Sequence, residues 1–145
     1  MRHLTQGLAT CAMALTFAFI LTATAKDKPM KYMLLIYGAE NGGPEFGTPE
    51  FDAYMGEYQA VTDDVTKAGK LLASEALQPT STATAVRVRK GNIQKMDGPF
   101  AETKEQLGGF YLLECKDLDE AIAYAARIPD ARTGTVEVRP IMTFE

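Results

Sequence analysis

Two strand-like segments are apolar over most of their length, and this feature limits the folds open to the chain. Residues 30–38 read MKYMLLIYG and residues 109–115 read GFYLLEC, so both alternating sets of side chains are largely apolar. Successive side chains of a strand point to opposite faces of the sheet, so both faces need cover. A bare apolar face of that size is unusual on a soluble monomer. We therefore expect a homodimer whose subunits pack sheet to sheet.

Two other segments carry the signals of amphipathic helices. Thr48 followed by Pro49 predicts an N-cap and a first helical residue, and Gly69 predicts the stop. Between them, apolar and aromatic side chains recur with the helical period. Asp117 with Glu120 three residues later predicts the capping box of a second helix. The predicted apolar face of this helix consists of Leu118, Ala121, Ile122, Ala125 and Ile128, with Pro129 closing it.

The rest of the chain has mainly strand composition. Further strands are predicted over residues 71–77, 80–90, 93–96 and 135–144, although residues 71–77 also fit a helical turn. Gly91-Asn92 predicts a two-residue turn that joins two of them into a hairpin. Pro140 predicts that the last strand ends there or lies at an edge of the sheet. Two helices on one face of a mostly antiparallel sheet make an α+β fold. The element order favours a ferredoxin-like subunit with an added β-hairpin.

The first 25 residues have the layout of a secretory signal peptide. A basic start at Arg2 precedes the apolar run LATCAMALTFAFIL, and an A-x-A arrangement ends at Ala25 before charged residues. The apolar run is shorter than the roughly 20 residues that a membrane span needs. We expect cleavage after Ala25, one domain over residues 26–145, and a secreted or periplasmic protein without a stable membrane span. An uncleaved N-terminal anchor is the competing interpretation.

Charge and composition narrow the classes of partner and cofactor. Cleavage would leave 14 basic residues against 19 acidic ones, a net charge of −5, which predicts no nucleic-acid partner. His3 and Cys11 would leave with the signal peptide, so Cys115 would be the one remaining cysteine. That excludes an intrachain disulfide and the usual zinc spacings. Phosphate-binding and dinucleotide-binding glycine motifs are also absent. We expect no metal and no cofactor.

Residues 96–109, MDGPFAETKEQLGG, allow two interpretations. The structural one is a corner of the sheet: Asp97-Gly98-Pro99 turns the chain, Phe100 anchors it, and residues 108–109 let another backbone approach closely. The functional one treats the polar side chains of this stretch as acid–base and substrate-orienting groups. Those side chains are Asp97, Glu102, Lys104 and Glu105.

Several segments in order resemble the DGPF branch of the YCII-related domain family. They are MKYMLLIYG, AGKLLASEALQP, TATAVRVRKG, DGPFAETKEQLGGFYLLECKDLDEAIAYAARIP and GTVEVRPIM, and they span residues 30–142. The resemblance implies a dimeric α/β barrel of ferredoxin-like subunits. For the wider family an enzymatic role based on a His–Asp pair has been proposed, and some members are likened to dehydrochlorinase-type enzymes. The DGPF branch has no settled function, and some relatives carry names borrowed from sigma-factor and transcription-initiation proteins.

The sequence departs from the family pattern at the helix histidine. Aligned through AGKLL, that histidine falls near Tyr58. A phenol with an ordinary pKa of about 10 is a poor base near neutral pH, whereas an imidazole is a good one. The partner aspartate has no aligned position, and Asp97 is the nearest candidate by motif.

Three hypotheses of function follow. The first is an exported homodimeric protein that binds a small ligand or serves as an accessory protein. The second is a cofactor-free lyase or isomerase, in which Asp97 or Glu75 is the base and Tyr58 the proton donor. In that scheme Arg87 or Lys104 orients a small anionic substrate. The third, a transcription-related regulator, requires that the N-terminal segment is not a signal peptide.

Overall fold

The computed structural model describes residues 28–99 and 101–144. Its helices are α1 (Pro49–Lys67) and α2 (Leu118–Ala125), and 3-10 turns span Thr80–Thr82 and Pro129–Arg132. Its strands are β1 (Met30–Gly38), β2 (Leu71–Ala76), β3 (Thr84–Arg89), β4 (Asn92–Asp97), β5 (Gln106–Cys115) and β6 (Thr135–Pro140). The predicted signal peptide and the predicted Phe100 anchor lie outside the described residues. No helix within the described ranges combines the length and apolar character needed to cross a bilayer.

Four strands form one antiparallel sheet in the order β2-β5-β1-β6. Each crossover carries a helix: α1 connects β1 to β2, and α2 connects β5 to β6. The β3–β4 hairpin lies between β2 and β5 in the chain and forms a separate two-stranded sheet. The prediction of an α+β fold, with two helices on one face of a mostly antiparallel sheet and an added hairpin, is confirmed.

The core lies between the helices and one face of the sheet. In β1 the alternating residues Tyr32, Leu34 and Ile36 are buried, and in β5 Tyr111, Leu113 and Cys115 are buried. Val61 and Val65 of α1 and Ala121 and Ala125 of α2 pack against them. Burying one leucine such as Leu34 fully contributes about 1.5–3 kcal/mol. The intervening residues Met33, Leu35, Phe110 and Leu112 point to the other face, where they are half-buried.

Both predicted helix caps are present. The Oγ1 atom of Thr48 accepts a hydrogen bond from the Phe51 amide at 3.2 Å. Asp117 accepts one from the Glu120 amide at 2.9 Å. Glu120 in turn accepts one from the Lys116 amide at 2.7 Å, one residue before the N-cap residue that a regular capping box would use.

The apolar face predicted for the second helix is partly wrong. Leu118 and Ile122 are 46% and 48% exposed, whereas Ala121 and Ala125 are buried. The two small alanines let the helix lie close to the sheet, and the larger side chains flank the contact. The helix also ends at Ala125, so buried Ile128 follows it instead of belonging to it.

Strand boundaries and the hairpin turn also differ from the predictions. β5 begins at Gln106, so the two glycines of the LGG segment lie inside the strand. The last strand ends at Pro140, four residues before the predicted limit at Phe144, as that proline favoured. The turn consists of Lys90 and Gly91, because Arg89 pairs with Asn92. Both turn residues have positive φ, 50° and 79°, as a type I′ turn requires.

Candidate functional site

A cavity of about 390 Å³, named the helix cavity below, lies between α1 and the β2–β5 side of the sheet. It exists because the sheet residues below α1 are small: Ser74 and Ala76 of β2 and Gly109 of β5 leave the space that larger side chains would fill. The lining residues are Ile36, Tyr54, Met55, Tyr58, Gln59, Thr62, Ser74, Glu75, Ala76, Gly108, Gly109, Phe110, Tyr111 and Asp130.

Gly109 is fixed at its position by the close approach of β2. A Cβ atom on Gly109 would lie 2.8 Å from the carbonyl oxygen of Glu75 and 3.4 Å from the Cα atom of Ala76. The predicted role of this glycine, to let another backbone approach closely, is confirmed. The same contact holds Glu75 and Ala76 against the floor of the helix cavity.

Two tyrosines of α1 and one aspartate form a polar cluster at the wall of the helix cavity. Tyr54 and Tyr58 are one helical turn apart, and their rings meet edge to face with centroids 5.3 Å apart. The hydroxyl of Tyr54 donates a hydrogen bond to the Asp130 carboxylate. Asp130 belongs to the 3-10 turn after α2, and a Cβ atom on Gly38 would lie 3.5 Å from its Oδ2 atom. The cluster therefore joins α1 to the end of β1.

Both phenols are held in the neutral form. Burial, reinforced by the hydrogen bond to Asp130, raises the pKa of Tyr54 to about 12. Burial and then the negative charge of Asp130 raise the pKa of Tyr58 further in the same direction. At neutral pH both phenols are therefore protonated and can donate a hydrogen bond, and neither serves as a base.

A second hydrogen-bonded pair ties α1 to the sheet at the inner side of the cavity. The Oγ1 atom of Thr62 donates to the carbonyl oxygen of Tyr58 at 2.9 Å and lies 2.8 Å from the Tyr111 hydroxyl. A threonine hydroxyl has one proton, so Tyr111 is the donor in the second contact. Tyr111 is thus occupied by the scaffold, whereas Tyr58 lines the cavity with its hydroxyl close to Tyr54 and Asp130.

The helix cavity has no lysine or arginine among the described residues of its lining. Asp130 supplies a carboxylate, whereas Glu75 pairs with Phe110, so its carboxylate points to the opposite face of the sheet. The nearby Arg132 is paired with Glu57 at 2.6 Å, on the exposed surface of α1. In the described part of the chain, no three histidine, cysteine, aspartate or glutamate side chains are grouped as a metal site would need.

Comparison with known proteins assigns the family. The profile of the YCII-related domain matches residues 30–145. The chain belongs to the YCII-related domain family. An uncharacterized protein of Rhizobium meliloti (strain 1021) is 41% identical over 118 residues, which are 80% of this chain and 95% of the relative. The family resemblance inferred from the quoted motifs is confirmed.

In this YCII-related domain, two of the five residues predicted from sequence as site residues lie at one cavity. Tyr58 and Glu75 both border the helix cavity, but Glu75 pairs with Phe110, so its side chain points to the sheet face opposite α1. Asp97 is the last residue of β4 and Arg87 lies in β3, both exposed on the hairpin. Lys104 lies in the loop before β5, also exposed. None of these last three lines the helix cavity. The chemical roles suggested for all five stay predictions.

Two residues of the YCII-related site were missed. Tyr54 is one of the aromatic residues that recur with the helical period in α1, and its spacing from Tyr58 places both phenols on one helical face. Asp130 follows the proline that ends the second helical pattern. An aspartate at such a position is typical of an ordinary turn. Its contact with Tyr54 joins positions 76 residues apart, and no local pattern reports such a contact.

Proposed function

We propose that this YCII-related domain forms an exported homodimer that binds a small, uncharged ligand in the helix cavity. The observation that carries the proposal is the cavity itself. Its volume of about 390 Å³ lies within the range of small-molecule sites, roughly 300–1,000 Å³. Such sites combine apolar walls with a few placed polar groups. Here Ile36 and Met55 supply apolar surface, and Tyr58 supplies a hydroxyl.

The charges around the cavity favour an uncharged ligand with a hydrogen-bond acceptor. The neutral phenol of Tyr58 is suited to donate to a carbonyl, ether or hydroxyl oxygen. A small anionic ligand was expected from Arg87 and Lys104, but these cations do not line the cavity. An anion there would instead lose hydration beside the Asp130 carboxylate, which is unfavourable.

The homodimer and the export rest on separate support. Met33, Leu35, Phe110 and Leu112 form an apolar surface on the sheet face opposite the helices. Packing that face against a second copy would cover it. Sedimentation should therefore find a dimer at micromolar concentration, and a monomer would contradict the proposal. Export is supported by the pattern of residues 1–25, and mass spectrometry of the exported protein should place its N-terminus at Lys26.

Ligand binding is tested with two probes that share a ring and differ in charge. We expect calorimetric titration to show phenol binding at least tenfold more tightly than benzoate, a difference of about 1.4 kcal/mol. Ser74→Leu would fill the helix cavity and abolish phenol binding. Ser81→Leu makes the same chemical change at an exposed position outside the lining and should bind as wild type does. Tighter binding of benzoate, or normal binding by Ser74→Leu, would contradict the proposed site.

The cofactor-free lyase or isomerase stays a prediction. Its suggested base Glu75 pairs with Phe110 in the sheet, so the Glu75 carboxylate points to the face opposite the helix cavity and away from Tyr58.

A further inference from the structure

The β3–β4 hairpin presents two different faces. Val86, Val88 and Ile93 share one face, because Val88 pairs with Ile93 and Val86 lies two residues from Val88. These three side chains are 59%, 57% and 69% exposed. Lys95 pairs with Val86 and borders these residues on the same face, and the opposite face carries the pairs Arg87–Gln94 and Ala85–Met96. The three apolar residues are called the hairpin apolar face below.

This hairpin has little support from its own subunit. An isolated two-stranded hairpin is marginally stable in water, and a third strand or a packed face is normally required. β3 and β4 pair with each other, and their one bridge outside the named strands joins Thr84 to Gly98 at the base of the hairpin. Contiguous exposed apolar surface on a soluble protein commonly marks an interaction site. The hairpin apolar face therefore needs a partner surface.

Charge indicates which partner. Residues 84–97 contain four basic side chains and one acidic side chain, a net charge of +3, in a chain whose total is −4. The rest of the chain therefore has a net charge of −7. A second copy of the same chain thus offers the opposite charge to each hairpin, and complementary charge favours association.

The base of the hairpin is anchored near the site. One carboxylate oxygen of Glu40 accepts hydrogen bonds from the Thr80 amide at 2.7 Å and the Thr80 hydroxyl at 2.6 Å. Glu40 and Thr80 line a smaller cavity of about 190 Å³, and Asp130 lines both this cavity and the helix cavity. The hairpin therefore projects from the end of the sheet that holds the polar cluster.

We infer that the β3–β4 hairpin is a dimerisation arm whose apolar face packs on a second copy of this chain. The inference rests on the proposed homodimer and adds a contact to it. Each subunit receives the arm of the other, since a two-fold dimer repeats every contact. The contact with the other subunit buries Val86, Val88 and Ile93 of the arm. The basic side chains of the arm then approach the acidic surface of that subunit.

Two neighbouring substitutions on one strand test the arm. Ile93→Thr removes apolar surface from the hairpin apolar face, and Gln94→Thr creates the same residue on the opposite face without changing charge. Threonine suits a strand at both positions, so the hairpin is retained. By sedimentation of the full-length chain, Ile93→Thr should raise the dimer dissociation constant at least tenfold, about 1.4 kcal/mol. Gln94→Thr should leave it unchanged.

The outcomes separate the arm from the dimer itself. A wild-type dimer whose dissociation constant is the same in both variants overturns the arm while the sheet-to-sheet dimer stands. Equal weakening by both variants also overturns it. A wild-type monomer overturns the homodimer and the arm together. As an independent readout, amide hydrogen exchange across β3 and β4 should slow when protein concentration rises through the dissociation constant. Exchange that is independent of concentration contradicts the arm.

Discussion

Substituting alanine for the two adjacent glycines of β5 should change stability in opposite directions. At Gly109 a Cβ atom would lie 2.8 Å from the carbonyl oxygen of Glu75, a distance that forces β2 away from β5. Overpacking of this kind costs about 1–3 kcal/mol. At Gly108 the nearest atom would be the carbonyl oxygen of Ile36 at 4.0 Å, an ordinary contact, and neither glycine has a left-handed φ. Gly108→Ala should therefore gain the roughly 0.5–1 kcal/mol by which alanine exceeds glycine in a strand.

Thermal unfolding followed by circular dichroism measures both effects. For a domain of this size 1 kcal/mol corresponds to a shift of about 4 °C in Tm. Gly109→Ala should lower Tm by about 4–12 °C, and Gly108→Ala should raise it by about 2–4 °C. The two variants add the same methyl group one residue apart, so composition cannot explain opposite signs. Equal shifts, or a larger loss at Gly108, would refute the packing described for the floor of the helix cavity.

Three further predictions concern ionisable groups. Between the ordinary phenol pKa of 10.0 and the value of about 12 for Tyr54, the unfolded chain loses a proton that the folded chain keeps. Stability measured in urea should therefore fall as pH rises through this window, and less steeply in Tyr54→Phe. Glu120 pairs with Lys70 at 3.0 Å. Burial acts to raise the pKa of Glu120, but the hydrogen bonds from the Lys116 amide and from Lys70 outweigh burial and lower that pKa. The stabilisation of the folded state by ionised Glu120 should be lost as pH falls below about 4.5. Glu120→Gln should abolish that part of the pH dependence of stability. The substitution should also lower the free energy of unfolding at neutral pH by about 1 kcal/mol. Cys115 is buried and burial raises its pKa to about 11, so a thiol reagent at mildly alkaline pH should modify it only after unfolding; rapid modification of the folded protein would contradict that burial.

The elements that sequence predicted well are those set by local chemistry. Thr48 before Pro49 and Asp117 before Glu120 mark helix starts because the capping bonds span only three residues. The alternation in β1 likewise identifies both faces of a strand without knowledge of its neighbours. Fold class follows from the order of such elements, so the four-stranded sheet and its helices were predictable.

The candidate site was less predictable because it depends on contacts between distant positions. Asp130 meets Tyr54 only after α1 and the turn following α2 have packed on the same sheet. The helix cavity depends on small residues from two strands, such as Ser74 and Gly109. The local sequence around each of these residues does not indicate that both face α1. The exposed flank of α2 at Leu118 was mispredicted for the same reason, since burial depends on how close the helix lies to the sheet.

A map of the amides that respond to phenol tests the helix cavity as a ligand site. Titration of ¹⁵N-labelled protein with phenol should shift backbone amide signals around the helix cavity, at Tyr58, Ser74 and Phe110. Signals of the hairpin at Val88 and Ile93 should stay in place at constant protein concentration. Saturable shifts confined to the helix cavity are the predicted result. The absence of saturable shifts there, or shifts centred on the hairpin, would contradict the claim that this YCII-related domain holds a small uncharged ligand between α1 and its sheet.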